Sequence, residues 1–378
     1  MVRVVTEAVN GVDLYSKIYD FSNLYNAYVD SKQGKRWKNA TARFEINALA
    51  ELKKLQRDLM NETYKLGPYN VFRIYEPKIR DIKSIQFKHK VVQRSLCNNV
   101  LEPAFEKTFI FDSYACRKGK GTHAGLDKTS EFFRRHYRKH GLEGWVLKCD
   151  IEKYFDSIDH RILKKIIRKH IKDVRVLKLL DDIIDSTPGG KGLPLGNQTS
   201  QWFSILFLSD FDHFIKERLG VKMYIRYMDD FVLIHQDKAF LQDCKRAIVE
   251  YLKGLELELN HKSHIFPLRN GVDFLGFHLY LTDTGRVIKK VRRDSKDRVK
   301  RKLKKFQELY EKGGRSREQI EHAYGSWAAH AAHGNCYYLI QKMNVRFERI
   351  FEGDGEKNGA TIKQPARRGK GKGSRQRL

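Results

Sequence analysis

Two adjacent aspartates sit inside an apolar stretch, "KMYIRYMDDFVLIH" (residues 222–235). Its flanks are rich in β-branched and aromatic residues. The segment therefore reads as two strands around a tight turn that holds Asp229 and Asp230. A further acid, Asp150, lies near the end of "WVLKCDI" (145–151), which reads as a short buried strand. Unpaired carboxylates are costly to bury, so a strand-end acid near a paired acid in a hairpin needs a cation. Ordinary turn chemistry would account for a lone Asp-Asp pair. The apolar strands on both sides, with the separate "KCDIEKYFDSID" segment, point instead to one shared acidic centre. Hard oxygen ligands suit Mg²⁺, which keeps waters and shares substrate phosphates. Two such ions, with Mn²⁺ as a substitute in vitro, can stabilise the attacking and leaving oxygens of an in-line phosphoryl displacement.

These acids stand in a strongly basic background. The 378 residues carry 74 Lys and Arg against 46 Asp and Glu, a formal net charge of +28, and 41% are hydrophobic. That is a globular chain with room for two or three subdomains. The cations are spread along its whole length, so the expected partner is a long polyanion across the folded body, most simply nucleic acid. A basic ribosomal-type protein is the plainer alternative. Cys97, Cys116, Cys149, Cys244 and Cys336 are isolated and lack C-x-x-C spacing, which suggests neither a zinc site nor a disulfide framework. The start has no apolar signal region, and no run approaches the ~20 apolar residues of a membrane span. A cytoplasmic protein without a membrane partner is expected.

Periodicity organises the rest. Residues 41–62 read as a helix with Leu49, Leu52, Leu55 and Leu59 on one face. "VFRIYEPKIRDIKSIQF" alternates as strands do, with Pro77 in a turn, and 88–106 read as helix. A helix over 157–171 has Ser157 or Asp159 as its N-cap. Another over 200–220 is closed by Gly220. Residues 238–254 read as helix and 272–282 as a hairpin. Residues 289–312 form a basic helix, with one or two more over 316–350. The Gly- and Lys/Arg-rich end, 352–378, is expected to lack order, serving as an electrostatic arm or a solubilising tail.

Placed in order, these motifs resemble those of reverse transcriptases. "YMDD" (227–230) is similar to the family's hairpin signature, and "DIEKYF" (150–155) to its first catalytic motif. "RDIKSIQFKHKVVQ" and "SYACRKGKGTHAGL" resemble its fingers motifs in bacterial retroelements. "LELNHKS" (257–263) and "FLGF" (274–277) resemble those after the hairpin. The resemblance covers roughly residues 15–345. It implies an α+β right-hand polymerase fold: an N-terminal extension (1–40), fingers (41–144), a palm with an antiparallel sheet, helices and part of the fingers inserted (145–284), a helical thumb (285–351) and the tail.

The resemblance also implies roles. Asp150 and Asp229 bind both metals with the carbonyl of Ile151, and Asp230 supports or partly ligates. Phe155 is similar to the steric gate that selects deoxynucleotides; a core Phe is the alternative. Lys78 and Arg80 clasp the triphosphate, with Arg73 and Lys83 as substitutes. Leu195, Gly196 and Gln201 belong to the nucleotide-pocket loop. Tyr114, Arg117 and Lys118 resemble template contacts, against a reading as a solvated basic turn. Phe274, Leu275, Gly276 and Phe277 resemble the primer grip, where backbone and aromatic groups position the 3′ end. Lys262 matches a lysine that protonates the pyrophosphate, against a reading as a surface lysine. The implied partners are template RNA, the RNA–DNA duplex and deoxynucleoside triphosphates.

The loop "GLPLGNQTSQ" (192–201) narrows the class. Most reverse transcriptases read Q-G-x-x-x-S-P there; this chain has Leu195 and Gln201 at the first and last positions. That variant, with "YNAYVDSKQGKR" and "DSYACRKGKGTH", resembles bacterial or phage enzymes of diversity-generating retroelements. Those copy a template-repeat RNA into cDNA with errors at adenine, helped by a small basic accessory protein. A defence-type bacterial reverse transcriptase is the first alternative. A non-catalytic RNA-binding protein on a polymerase fold is the second, opposed by the intact acids.

Overall fold

The computed structural model describes residues 13–75 and 79–352. They fall into two compact units divided between Ile288 and Lys289. The expected turn at Pro77, the triphosphate contact by Lys78 and all but the first residue of the basic tail lie outside the described residues.

Helices α1 (Leu14–Tyr19), α2 (Phe21–Lys32), α3 (Asn39–Ile46) and α4 (Ala48–Met60) come first. The carboxylates of Asp13 and Asp20 accept the amides of Ser16 and Asn23, capping the first two. The one helix expected over 41–62 is two, because the chain breaks at Asn47 (φ −117°, ψ 31°). Leu52, Leu55 and Leu59 are buried, but Leu49 is 62% exposed. It sits in the first turn after the break, and the packed face begins one turn later.

Strands β1 (Asn70–Ile74) and β2 (Arg80–Ser84) pair antiparallel. Helix α5 (Phe87–Leu96) runs through a π-helical turn at Cys97–Leu101 into α6 (Glu102–Phe105), inside the helix expected over 88–106. Next come α7 (Thr122–His140), β3 (Trp145–Cys149), the short α8 (Tyr154–Ser157) and α9 (His160–His170). Asp159 caps α9 by accepting the amides of Arg161 and Ile162, whereas Ser157, the other expected cap, belongs to α8.

After α10 (Val174–Asp185), the helix expected over 200–220 divides into α11 (Gln198–Phe207), α12 (Ser209–His213) and a π-helical turn at Phe214–Arg218. The first unit finishes with β4 (Tyr224–Tyr227), β5 (Asp230–His235), α13 (Lys238–Gly254), β6 (His264–Pro267), β7 (Val272–Phe274) and β8 (Phe277–Leu281).

One antiparallel sheet, in the order β4-β5-β3-β6, brings the acids together. Cys149 of β3 faces Phe231 of β5, so continuing that register one step brings Asp150 level with Asp230. Side chains alternate between faces along a strand. Leu147 and Cys149 therefore enter the main core with Leu241, Cys244, Ile248 and Leu252 of α13, while Lys148 and Asp150 point the other way.

β9 (Val287–Val291) carries the chain across the division between units. In the second unit, α14 (Arg293–Glu311), α15 (Arg317–Ala332) and α16 (Tyr337–Glu348) share their own core. The basic helix expected from residue 289 starts at Arg293, because 287–291 are extended. Val299, Leu303 and Phe306, spaced four and three apart, give this cationic helix its one apolar stripe. The fold is α+β, with the palm sheet in the first unit and a helical thumb as the second. No described helix is long and apolar enough to cross a membrane.

Candidate active site

The hairpin between β4 and β5 has a two-residue loop, Met228-Asp229, because Tyr227 pairs with Asp230. Met228 takes a positive φ of 57°, which strains a residue with a side chain by about 1–2 kcal/mol. A buried arginine holds it there. Arg226 is 0% exposed, and its Nη1 donates to the Met228 carbonyl at 2.9 Å. Its Nε and Nη2 grip the carboxylate of Asp212 at 2.7 and 2.5 Å, and the Tyr224 hydroxyl donates to the same carboxylate at 2.6 Å. Nη2 also reaches the Ile205 carbonyl at 3.3 Å. The strained turn is thus tied to α11 and α12.

The Asp150 end of β3 is clamped from the other side. Its N–H donates to Ser263 Oγ at 3.1 Å, and its carbonyl accepts the Asn260 N–H at 2.8 Å. Ile151 is buried and bridges to Leu259. Lys262 is exposed on this loop, its N–H donating to Asn260 Oδ1 at 3.0 Å.

Asp229 is half-buried. Burial first, and the charge of Asp150 second, hold its carboxyl above the ordinary range; Lys148 and Arg80 draw it back only in part. The sheet and the fingers hairpin thus place Asp150, Asp229, Lys148 and Arg80 in one electrostatic neighbourhood. Asp230, expected as a supporting ligand, pairs with Lys148, because Lys148 lies on the same face of β3 as Asp150. Among the described residues no group of three His, Cys, Asp or Glu side chains is arranged to hold a metal. The two crowded carboxylates, Asp150 and Asp229, are nevertheless a hard-oxygen donor pair that raises the cost of its own ionisation, which fits a divalent cation bound together with phosphate oxygens.

The loop over 192–201 packs against β2 and the Phe155 segment. The Leu193 N–H donates to the Phe155 carbonyl at 2.8 Å, and the Lys83 N–H to the Leu195 carbonyl at 3.1 Å. Gly196 has φ 119°, and a Cβ there would lie 3.0 Å from the Lys83 carbonyl oxygen, so the close approach to β2 requires glycine. Phe155 is half-buried at the rim of the core. The base of the fingers hairpin is fixed by His89, whose ring nitrogens meet Tyr64 Oη at 2.7 Å and the Gly67 N–H at 3.1 Å. Burial lowers His89 to about 4, so the ring is neutral at pH 7.

Other expected contacts lie elsewhere. Gln201 is exposed on α11 and lines a separate cleft with Asp30, Arg94 and Lys118. Tyr114 is buried. Arg117 is turned inward, bonded to Glu106 and to the carbonyls of Ile110 and Ser113. It braces the loop rather than reaching outward. Lys118 is exposed and pairs with Glu102 at 2.7 Å. Phe274 and Phe277 are buried, so their rings are core; Leu275, half-buried, and Gly276, exposed, both take positive φ and form the hairpin tip. Sequence reasoning missed Lys148, Arg226 and Asp212. The signal was there for the first two: each is a charge inside an apolar strand.

A family model described as "Reverse transcriptase (RNA-dependent DNA polymerase)" matches residues 51–279. Protein YkfC of Escherichia coli (strain K12) is 28% identical over 278 residues, 61% of this chain and 71% of YkfC. Group II intron-encoded protein LtrA of Lactococcus lactis subsp. cremoris is 26% identical over 219 residues, 57% of this chain; the chain spans only 33% of LtrA. The solved telomerase from Candida albicans, in complex with a fragment of telomeric RNA, aligns with a TM-score of 0.48 at 15% identity, covering 76% of this chain and 55% of that one. The family match spans more than half of the chain and contains Asp150, Asp229 and Asp230, so the chain belongs to the reverse transcriptase family.

Proposed function

We propose that this protein is the RNA-directed DNA polymerase of a diversity-generating retroelement, copying a template-repeat RNA into cDNA with errors at adenine. Asp150 and Asp229, with the Ile151 carbonyl, would hold two Mg²⁺ ions, which when bound stabilise the attacking and leaving oxygens of nucleotidyl transfer. Arg80 adds fixed positive charge beside them for the triphosphate. Phe155 presents its ring where a 2′-hydroxyl would otherwise fit, and Lys262 supplies a proton to the leaving pyrophosphate. Template RNA, the RNA–DNA duplex and deoxynucleotides occupy this side of the palm, and a small basic accessory protein assists.

The observation that carries the subclass is Leu195. Its loop is held by backbone bonds to β2 and to the Phe155 segment, which supports reading its side chain as part of the pocket wall. Leu has neither donor nor acceptor where the usual motif has Gln. Losing one hydrogen bond of ~0.5–1.5 kcal/mol loosens a geometric check by roughly a few-fold to tenfold. Leu195→Gln should lower misincorporation opposite template adenine by that factor, read by sequencing cDNA made by both enzymes on one RNA. Equal adenine error rates would remove the reading.

A further inference from the structure

The palm sheet has two faces, and the carboxylate chemistry uses one. Lys148 and Asp150 project from one side of β3. α13 covers the other, through Leu241, Cys244, Ile248 and Leu252. The outer side of α13 borders a cleft of about 670 Å³, whose far wall is the edge strand β6. Lys238, Gln242, Lys245, Arg246 and Lys253 line it from the helix, and His264 from the strand. Those helical positions form one stripe. At 1.5 Å per residue the distance from Lys238 to Lys253 is about 22 Å.

The cations are only lightly engaged. Lys253 pairs with Glu250, the one carboxylate lining the cleft, at 3.1 Å, and Arg246 pairs with Asp243. Both pairs are exposed, and such pairs are worth roughly 0–1 kcal/mol, so a phosphate readily displaces them. Lys238 lies over the Trp145 ring at 4.6 Å, and Lys245 donates to the Ser263 carbonyl at 2.8 Å. Apolar lining is limited to Val249 and Ile265. A protein partner would need a buried aromatic or aliphatic anchor; this cleft instead offers a linear cationic track with hydrogen-bond donors, the complement of a phosphodiester chain.

We infer that this cleft binds the sugar–phosphate backbone of RNA outside the template–primer path, giving the enzyme a second RNA-binding surface behind its active site. The inference rests on the chain handling RNA as a reverse transcriptase, and extends that role to a face remote from the carboxylates.

The test uses the full chain carrying Lys238→Gln, Arg246→Gln and Lys253→Gln together. Lys245 is left intact because it holds the Ser263 loop that clamps Asp150. Two RNAs are compared by fluorescence anisotropy over a salt series: a minimal template–primer, and the same template extended by a structured 3′ flank. The flanked RNA should bind the triple variant about tenfold more weakly than wild type at ~0.15 M salt, and its log–log salt slope should be shallower by roughly 2–3. Binding and extension of the minimal template–primer should be unchanged. Equal affinity of wild type and variant for the flanked RNA would overturn the inference. An equal loss on the minimal template–primer would also overturn it, by placing the cations in the template path. So would an acidic polyglutamate peptide that outcompetes the flank. Binding is read independently of extension, so a failure of the polymerase reading is told apart from a failure of this one.

Discussion

Asp229 shows what a half-buried carboxylate beside another costs a fold. Burial and the neighbouring Asp150 raise its pKa above the ordinary 3.8. The folded chain therefore holds this proton more tightly than the unfolded chain. The associated stability is present at low pH and is lost as pH rises from about 3.8 through the raised value. At neutral pH the metal-free protein carries this repulsion, offset only in part by Lys148 and Arg80. Asp229→Asn should therefore raise the metal-free Tm at pH 7 by on the order of 1–3 °C while abolishing polymerisation. The gain should shrink toward pH 3, where the wild-type carboxyl is already neutral. A lower Tm at pH 7, or a gain independent of pH, would contradict this origin of the shift. The cost of burying Asp229 was legible in the sequence, because apolar strands on both sides enclose the Asp-Asp pair. The engagement of Asp230 by Lys148 was not, because it depends on which face of β3 each side chain takes.

At the scale of the element, the β4–β5 hairpin works because Arg226 offsets the strain at Met228. Removing one partner of a buried ion pair leaves the other uncompensated, at about 3–5 kcal/mol. Arg226→Met should cost that much in denaturant unfolding. Adding Asp212→Leu should recover at least ~1 kcal/mol of it, since an apolar replacement of the whole pair is often near neutral. The double variant, folded but without the bond to the Met228 carbonyl, should lose kcat with little change in the KM for nucleotides. A double variant no more stable than Arg226→Met would refute the pairing; full kcat would refute the positioning.

Apolar, β-branched and aromatic flanks made the hairpin itself visible in advance, and the apolar stripes located most helices. Interruptions were hidden. The break at Asn47 and the divided helix over 200–220 are set by packing rather than by local pattern, since neither carries a proline or glycine at the break. Arg117 misled for a related reason: "CRKGKG" has the composition of a solvated turn, yet its partner Glu106 lies 11 residues upstream. Phe274 and Phe277 misled because an aromatic pair flanking a turn reads the same whether it faces a ligand or a core.

For the whole molecule, a net charge of +28 points to a polyanion partner but does not divide the surfaces. Within the first unit the sheet does that: carboxylates on one face, the α13 cationic track on the other. The same sheet makes the central claim testable, because it draws Asp150 and Asp229 from 79 residues apart into one site. Primer extension on an RNA template with deoxynucleotides and Mg²⁺ compares wild type with Asp150→Asn and Asp229→Asn. The wild type should synthesise cDNA, and each variant should fall by on the order of 10³-fold or more while binding the template–primer normally. Equal product from wild type and either variant would contradict the assignment of this carboxylate pair as the polymerase centre.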